Sequence, residues 1–131
     1  MSRNDLLSDV LAAIKNAAAV RHDSLRVPYS RFVMSILEIL KREGYIADCA
    51  KEDEGKKSWI GISLKYEGKK SVIRNLERVS RPSRRVYVCK EDVKPVLRGR
   101  GLTIVTTPKG VMTDKEARQE SIGGEIVLRI W

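Results

Sequence analysis

Apolar residues recur at helical spacing in the first part of the chain. They lie three or four positions apart over residues 5–18, and again in the stretch that Ser30 opens, so the pattern predicts two amphipathic helices. Asn4 is the candidate N-cap of the first helix, because its side chain can accept a hydrogen bond from a free backbone N–H. Gly44 follows a basic pair and is expected to end the second helix. Between the helices, LRVPYS is expected to form a short extended segment ended by Pro28.

Strand-like alternation of apolar and polar positions dominates the rest of the chain. Turns are expected at 52–57 and 67–70, where charged residues and glycine cluster. Strands are expected over 45–50, 58–66, 71–79, 86–89, 102–107 and 125–131. Two short helices are expected as well, one over 91–97 and one after Thr113, which forms a T-x-x-E capping box with Glu116.

This order of elements predicts an α+β protein with two small lobes packed on one another. The N-terminal lobe, residues 1–70, has the order α-β-α-β-β. The C-terminal lobe, residues 71–131, is β-rich with short helices. The segment SRPSRR at 80–85 interrupts the pattern and is the candidate hinge between the lobes.

Positive charge is concentrated in one window of the chain, whose formal net charge is +9. Residues 61–100 hold twelve basic and four acidic side chains, whereas residues 1–60 hold ten and nine and residues 101–131 hold four of each. A localised basic surface is the expected footprint of a polyanionic partner. Nucleic acid is favoured over a membrane, because no long basic amphipathic helix accompanies the charge.

The residue patterns of enzymes and metal sites are missing from the sequence. The single histidine, His22, lies in a polar linker, and Cys49 and Cys89 stand among apolar residues without a CxxC pair, so no zinc site is expected. The RGRG stretch precedes a strand and lacks the spacing of a dinucleotide loop. No apolar run reaches the ~18 residues that a membrane span needs, and the N-terminus is unlike a signal peptide. We therefore expect no catalytic residue, metal or cofactor, and a cytoplasmic protein.

An arginine cluster around a proline turn is the first candidate binding site. Arg81, Arg84 and Arg85 follow Arg78, and the next strand carries Tyr87. Arginine makes bidentate bonds to phosphate, and a tyrosine ring can stack on an unpaired base. The alternative is that Tyr87 belongs to the core and the arginines only increase solubility.

The loop TTPKG is the second candidate site. Two threonine hydroxyls and Lys109 could bond a base edge or an anion, and Gly110 would permit close approach of the backbone. The free N–H groups of the helix that Thr113 caps would favour negative charge nearby. The loop could equally be a plain strand-to-helix connection.

Five motifs carry a resemblance to a known family. In chain order they are VPYSR, LKREGYI, RVSRPSRRVY, PKGVMTDKEAR and GGEIVLRIW, and through them the chain resembles bacterial small-subunit ribosomal protein eight along its whole length. The resemblance implies two tightly associated lobes and primary binding to the central domain of small-subunit ribosomal RNA, in support of its folding and of subunit assembly. It also implies contact with small-subunit ribosomal protein five. The alternative function is that of a translational repressor that binds the messenger RNA of its own operon. A small hydrolase is a third and more distant hypothesis.

The resemblance also implies which residues contact RNA. The family reads RNA mainly with its C-terminal lobe, through the matching loop, a tyrosine and a GGE motif. Those residues here are Thr106, Thr107, Pro108, Lys109, Gly110, Tyr87, Gly123, Gly124 and Glu125. Pro108 departs from the usual serine and removes a hydroxyl and a backbone N–H. The N-terminal lobe is expected to add backbone contacts near Asn4, Lys15, Ser30 and Arg31.

Overall fold

A computed structural model describes residues 3–68, 70–73, 75–79, 86–88 and 101–131. The chain divides into two compact units, Met1–Arg74 and Asn75–Trp131. Helices and antiparallel sheets make the protein α+β, as predicted. The segment 80–85, expected as the hinge, falls within the second unit and outside the described residues, as does the helix expected over 91–97.

The first unit has the predicted order α-β-α-β-β, followed by a small hairpin. Its elements are α1 (Arg3–Ala19), β1 (Ser24–Pro28), α2 (Arg31–Arg42), β2 (Ile46–Glu54), β3 (Lys57–Leu64), β4 (Tyr66–Glu67) and β5 (Lys70–Ser71). The antiparallel sheet has the strand order β1-β3-β2, and β4 pairs with β5. The apolar stripes of both helices are buried together with one face of the sheet. The side chains almost fully removed from solvent are Leu7, Val10, Ile14, Val33, Ile36, Leu37, Leu40, Ile46, Ile60 and Ile62.

Both predicted ends of the second helix are confirmed. Ser30 is the N-cap of α2, and its hydroxyl accepts a hydrogen bond from the N–H of Val33 at 3.5 Å. At the other end, the N–H of Tyr45 bonds the carbonyl of Leu40, and Gly44 adopts a φ of 85°, as the residue after the C-cap does in a Schellman motif. The predicted cap at Asn4 is wrong, because α1 already includes Arg3 and places Asn4 in its first turn.

The strands differ from the prediction in two places. The turn expected over 52–57 is shorter, because β2 continues to Glu54 and pairs with Lys57, so only Gly55 and Lys56 connect the strands. The stretch expected as one strand over 71–79 is split between the two units. Cys49 is a core residue, as predicted, and burial raises the pKa of its thiol.

In its described residues, the second unit has one sheet and a short helix. Its elements are β6 (Leu76–Arg78), β7 (Tyr87–Val88), β8 (Leu102–Thr107), β9 (Gly110–Thr113), α3 (Asp114–Gln119) and β10 (Gly124–Ile130). The strand order is β6-β10-β8-β9, and β7 also pairs with β10. The predicted capping box is confirmed: the Thr113 hydroxyl accepts from the N–H of Glu116, and the Glu116 carboxylate accepts from the N–H of Thr113. Within the described residues, no helix is both long and apolar enough to cross a membrane.

Candidate nucleic-acid interface

The loop TTPKG is the tip of a β-hairpin. Thr107 pairs with Gly110 at the end of the β8–β9 ladder, and the two exposed residues between them, Pro108 and Lys109, form the turn. Proline suits the first turn position because its ring fixes φ. Gly110 has a φ of 116°, which an L side chain rarely adopts. The interpretation of TTPKG as a plain strand-to-helix connection therefore missed strand β9.

The hydroxyl of Thr107 is used inside the hairpin. Thr107 is only 8% exposed; its Oγ1 donates to the carbonyl oxygen of Gly110 at 2.9 Å and accepts from the N–H of Lys109 at 3.1 Å. These two bonds close the turn from within. Thr107 therefore shapes the loop, while the half-buried Thr106 is the threonine whose side chain lies on the accessible face.

We expect Thr107→Ala to lower the free energy of unfolding by about 1–2 kcal/mol, because it removes both side-chain hydrogen bonds that close the turn. Thr107→Ser keeps the hydroxyl and is the matched control, with a smaller loss. Thermal melts of both variants measure the difference. Equal melting temperatures for Thr107→Ala and the unmodified protein would show that the turn does not depend on this hydroxyl.

Strand pairing brings three separate parts of the sequence into one row. Tyr87 lies opposite Glu125, Glu125 lies opposite Thr106, and Thr106 lies opposite Val111. Residues directly opposite one another in an antiparallel sheet point to the same face. We call these four residues the Tyr87–Val111 row. The hairpin turn begins at Pro108, two residues beyond Thr106, so the row lies next to the turn.

The face that bears this row is accessible, and the other face is buried. Tyr87 is 68% exposed, so the interpretation of this ring as a core residue is wrong. One step along each strand, Ile126 and Val105 pair, and Val105 pairs with Met112 on the opposite face. These three join Ala117 of α3 in a hydrophobic cluster. The hydrophobic cluster therefore packs against one face of the sheet, and the Tyr87–Val111 row lies on the other, accessible face.

Gly124 permits the close approach of β10 to β8. A Cβ atom built at Gly124 would overlap the backbone carbonyl oxygen of Thr106 and lie 3.2 Å from Cγ2 of Thr107. Glycine is therefore required next to the row, for a reason of packing. Its neighbour Gly123 is half-buried and connects α3 to β10.

The positive charge of Lys109 at the hairpin turn is paired with Glu120. Nζ of Lys109 lies 3.2 Å from Oε2 of Glu120, and both side chains are more than half exposed. An exposed ion pair of this kind contributes little to stability, so another anion can replace Glu120 beside Lys109 at little cost. Glu120 was absent from the residues expected at the site, because nothing in the sequence relates the C-cap of α3 to a loop eleven residues earlier.

The other predicted residues belong to the first unit or fall outside the described residues. Lys15 is exposed on α1, Ser30 caps α2, and Arg31 is exposed at the first residue of α2. Asn4 lies in the first turn of α1. Arg81, Arg84 and Arg85 are outside the described residues. Across the part of the chain that the structure describes, no group of three or more acidic, histidine or cysteine side chains could hold a metal ion.

Comparison with known proteins gives one consistent result. The family model described as "Ribosomal protein S8" matches residues 5–131. The "Small ribosomal subunit protein uS8" of Microcystis aeruginosa is 48% identical over 133 residues, and the one of Dictyoglomus thermophilum is 48% identical over 131 residues. The protein of the same name from Mycoplasma mobile is 46% identical over 133 residues. Each of these alignments covers 100% of both chains. The chain therefore belongs to the ribosomal protein S8 family, a family of ribosomal structural proteins.

Proposed function

We propose that this chain is a structural constituent of the small ribosomal subunit that binds the central domain of its ribosomal RNA and supports folding of that domain during assembly. The relatives named above are proteins of the small ribosomal subunit. The family is one of ribosomal proteins and not of enzymes. On this proposal the protein works in the cytoplasm, in the ribosome.

The observation that carries the proposal is the exposed ring of Tyr87 in a row beside the TTPKG hairpin. Sequence-specific RNA recognition uses unpaired bases, which stack on aromatic rings and bond polar edges. Tyr87 supplies the ring on which a base can stack. Thr106 and the exposed backbone at Gly110 supply polar groups that can bond the edge of a base. Lys109 adds a positive charge beside it. This combination suits an irregular, partly unpaired RNA helix better than a regular duplex.

The two further partners rest on the family resemblance. Contact with small-subunit ribosomal protein five is part of the proposal, and so is repression through the messenger RNA of its own operon. If a messenger RNA folds into the same irregular helix, the same row would bind it. Titration of the protein with that RNA segment tests this directly.

Binding to a central-domain fragment is expected to weaken steeply with salt. Each phosphate contact contributes a log–log slope of about −0.7 to −0.9, so several contacts from the basic window give roughly −3 to −6 in total. Filter binding between 50 and 200 mM monovalent salt measures the slope. An affinity that stays flat over this range would contradict the proposal.

A further inference from the structure

The end of α1 carries an arginine in a conformation that favours glycine. The N–H of His22 bonds the carbonyl of Ala17, and the N–H of Arg21 bonds that of Ala18, which makes a Schellman motif with Arg21 just after the C-cap. Arg21 has a φ of 60°. The equivalent position after α2 holds Gly44, with a φ of 85°. A left-handed backbone at an arginine costs free energy that glycine would avoid.

The side chain of Arg21 is held in place by its neighbours. Its Nη2 donates to the carbonyl of Gly68 at 3.3 Å, and its Cζ lies 5.9 Å from the centre of the Tyr66 ring. Tyr66 is fixed in turn, because its hydroxyl donates to the carbonyl of His22 at 2.6 Å. The β4–β5 hairpin and the end of α1 thus position one exposed guanidinium group.

This guanidinium lacks an acidic partner in the described part of the chain. The ion pairs found there engage Arg26, Lys41, Lys51, Lys109 and Arg118, among others, but not Arg21. Arginine has five N–H donors, and the bond to Gly68 uses one of them. The planar fork of the remaining donors suits an oxyanion.

The surroundings of Arg21 favour a polyanion as the partner. His22 follows Arg21 in the chain, and Lys65 connects β3 to β4 just before Tyr66. Both side chains are exposed. The sequence KYEGKK, residues 65–70, has three lysines and one acid and opens the basic window of the chain. Phosphate is the oxyanion that an RNA-binding protein meets most often.

We propose that Arg21, positioned by Tyr66, is a phosphate-binding residue of the N-terminal unit that contacts the backbone of the bound RNA. This inference rests on the proposed function and adds a residue outside the five motifs named above. Because phosphate contacts carry no base information, the site sets affinity and orientation rather than sequence preference. It explains why an arginine occupies a position where glycine would be less strained.

The test is titration of the whole central-domain RNA with the full chain and with Arg21→Gly. Glycine relieves the backbone, so the melting temperature of this variant is expected to be unchanged or higher. Its affinity is expected to fall about threefold to tenfold at low salt, and its log–log salt slope to shrink by about one phosphate contact. Arg21→Lys keeps the charge but loses the planar fork, so it is expected to keep the slope and only part of the affinity.

Arg42→Gln is the matched control, because it removes another exposed arginine charge near a helix end, at the last residue of α2 beside Glu43. It is expected to bind like the unmodified protein. If Arg21→Gly binds with unchanged affinity and slope, or if Arg42→Gln loses as much, Arg21 contacts no phosphate, although the proposed function stands. If the unmodified protein fails to bind the RNA at all, the proposed function itself is overturned, and this inference with it.

Discussion

Gly124→Ala is expected to lower the free energy of unfolding by about 1–3 kcal/mol, the range of an overpacked site. The added methyl group would meet the backbone carbonyl of Thr106, which cannot rotate away. To make room, β10 and β8 must separate at the point where the Tyr87–Val111 row and the hairpin meet. We therefore expect RNA affinity to fall together with stability. Thermal or chemical unfolding and an RNA titration measure the two losses.

Gly61→Ala is the matched control for this variant. A Cβ atom at Gly61 would also meet a close neighbour, but that neighbour is the carboxylate of Glu52, at the end of a flexible side chain. The carboxylate can move, although its 3.2 Å ion pair with Arg26 would be rearranged. We expect a change within about 0.5 kcal/mol, as for ordinary surface substitutions. Equal losses at Gly124 and Gly61 would contradict the role assigned to the Thr106 carbonyl.

Tyr87→Ala is expected to weaken binding of the central-domain RNA by about 1–3 kcal/mol, the usual contribution of one base stacked on an aromatic ring. The melting temperature is expected to change little, because the ring is 68% exposed and contributes little to the core. Binding and stability would thus separate, in contrast to Gly124→Ala. Calorimetric titration beside a thermal melt provides both values.

Two further substitutions at this position identify the interaction. Tyr87→Phe keeps the ring and is expected to retain most of the affinity, whereas Tyr87→Leu keeps apolar area without a ring and is expected to lose most of it. A leucine variant that binds like the unmodified protein would rule out stacking. A phenylalanine variant as weak as alanine would assign the binding energy to the phenol hydroxyl.

Local patterns predicted most of the secondary structure. Helix α2, between its cap Ser30 and Gly44, has an apolar stripe, a serine cap and a terminal glycine that all agree, and it is confirmed at both ends. The capping box at Thr113 is confirmed for the same reason, since its bonds join residues three positions apart. Asn4 was wrong as a cap because α1 includes Arg3, whereas its apolar pattern indicated a start at Asp5.

The strands were harder to delimit, because their pairing depends on residues far apart in sequence. Glu54 was expected in a turn on account of its charge, yet it lies in β2 opposite Lys57. Strand β9 was missed because Gly110 and the capping residues around Thr113 obscured a ladder only four residues long. The two-residue turns most common in hairpins carry asparagine or glycine at the first position, so Pro108 and Lys109 gave no hairpin signal.

The candidate site was predictable as a set of residues but not as an arrangement. The family resemblance named Tyr87, Thr106 and Glu125, and the pairing register aligns them in one row. The different roles of Thr106 and Thr107 could not be predicted from the sequence, because burial of Thr107 depends on the turn that its own hydroxyl closes. Arg21 gave no sequence signal, since its left-handed backbone is visible only in the structure.

The most direct test of the account is a competition titration of the intact protein with a central-domain ribosomal RNA fragment and with an unrelated RNA of equal length and charge. Recognition of unpaired bases by the Tyr87–Val111 row predicts that the protein prefers the central-domain fragment by about 100-fold or more at moderate salt, and that Tyr87→Ala loses most of this preference. Equal affinity for the two RNAs, at a salt concentration where both bind measurably, would contradict it.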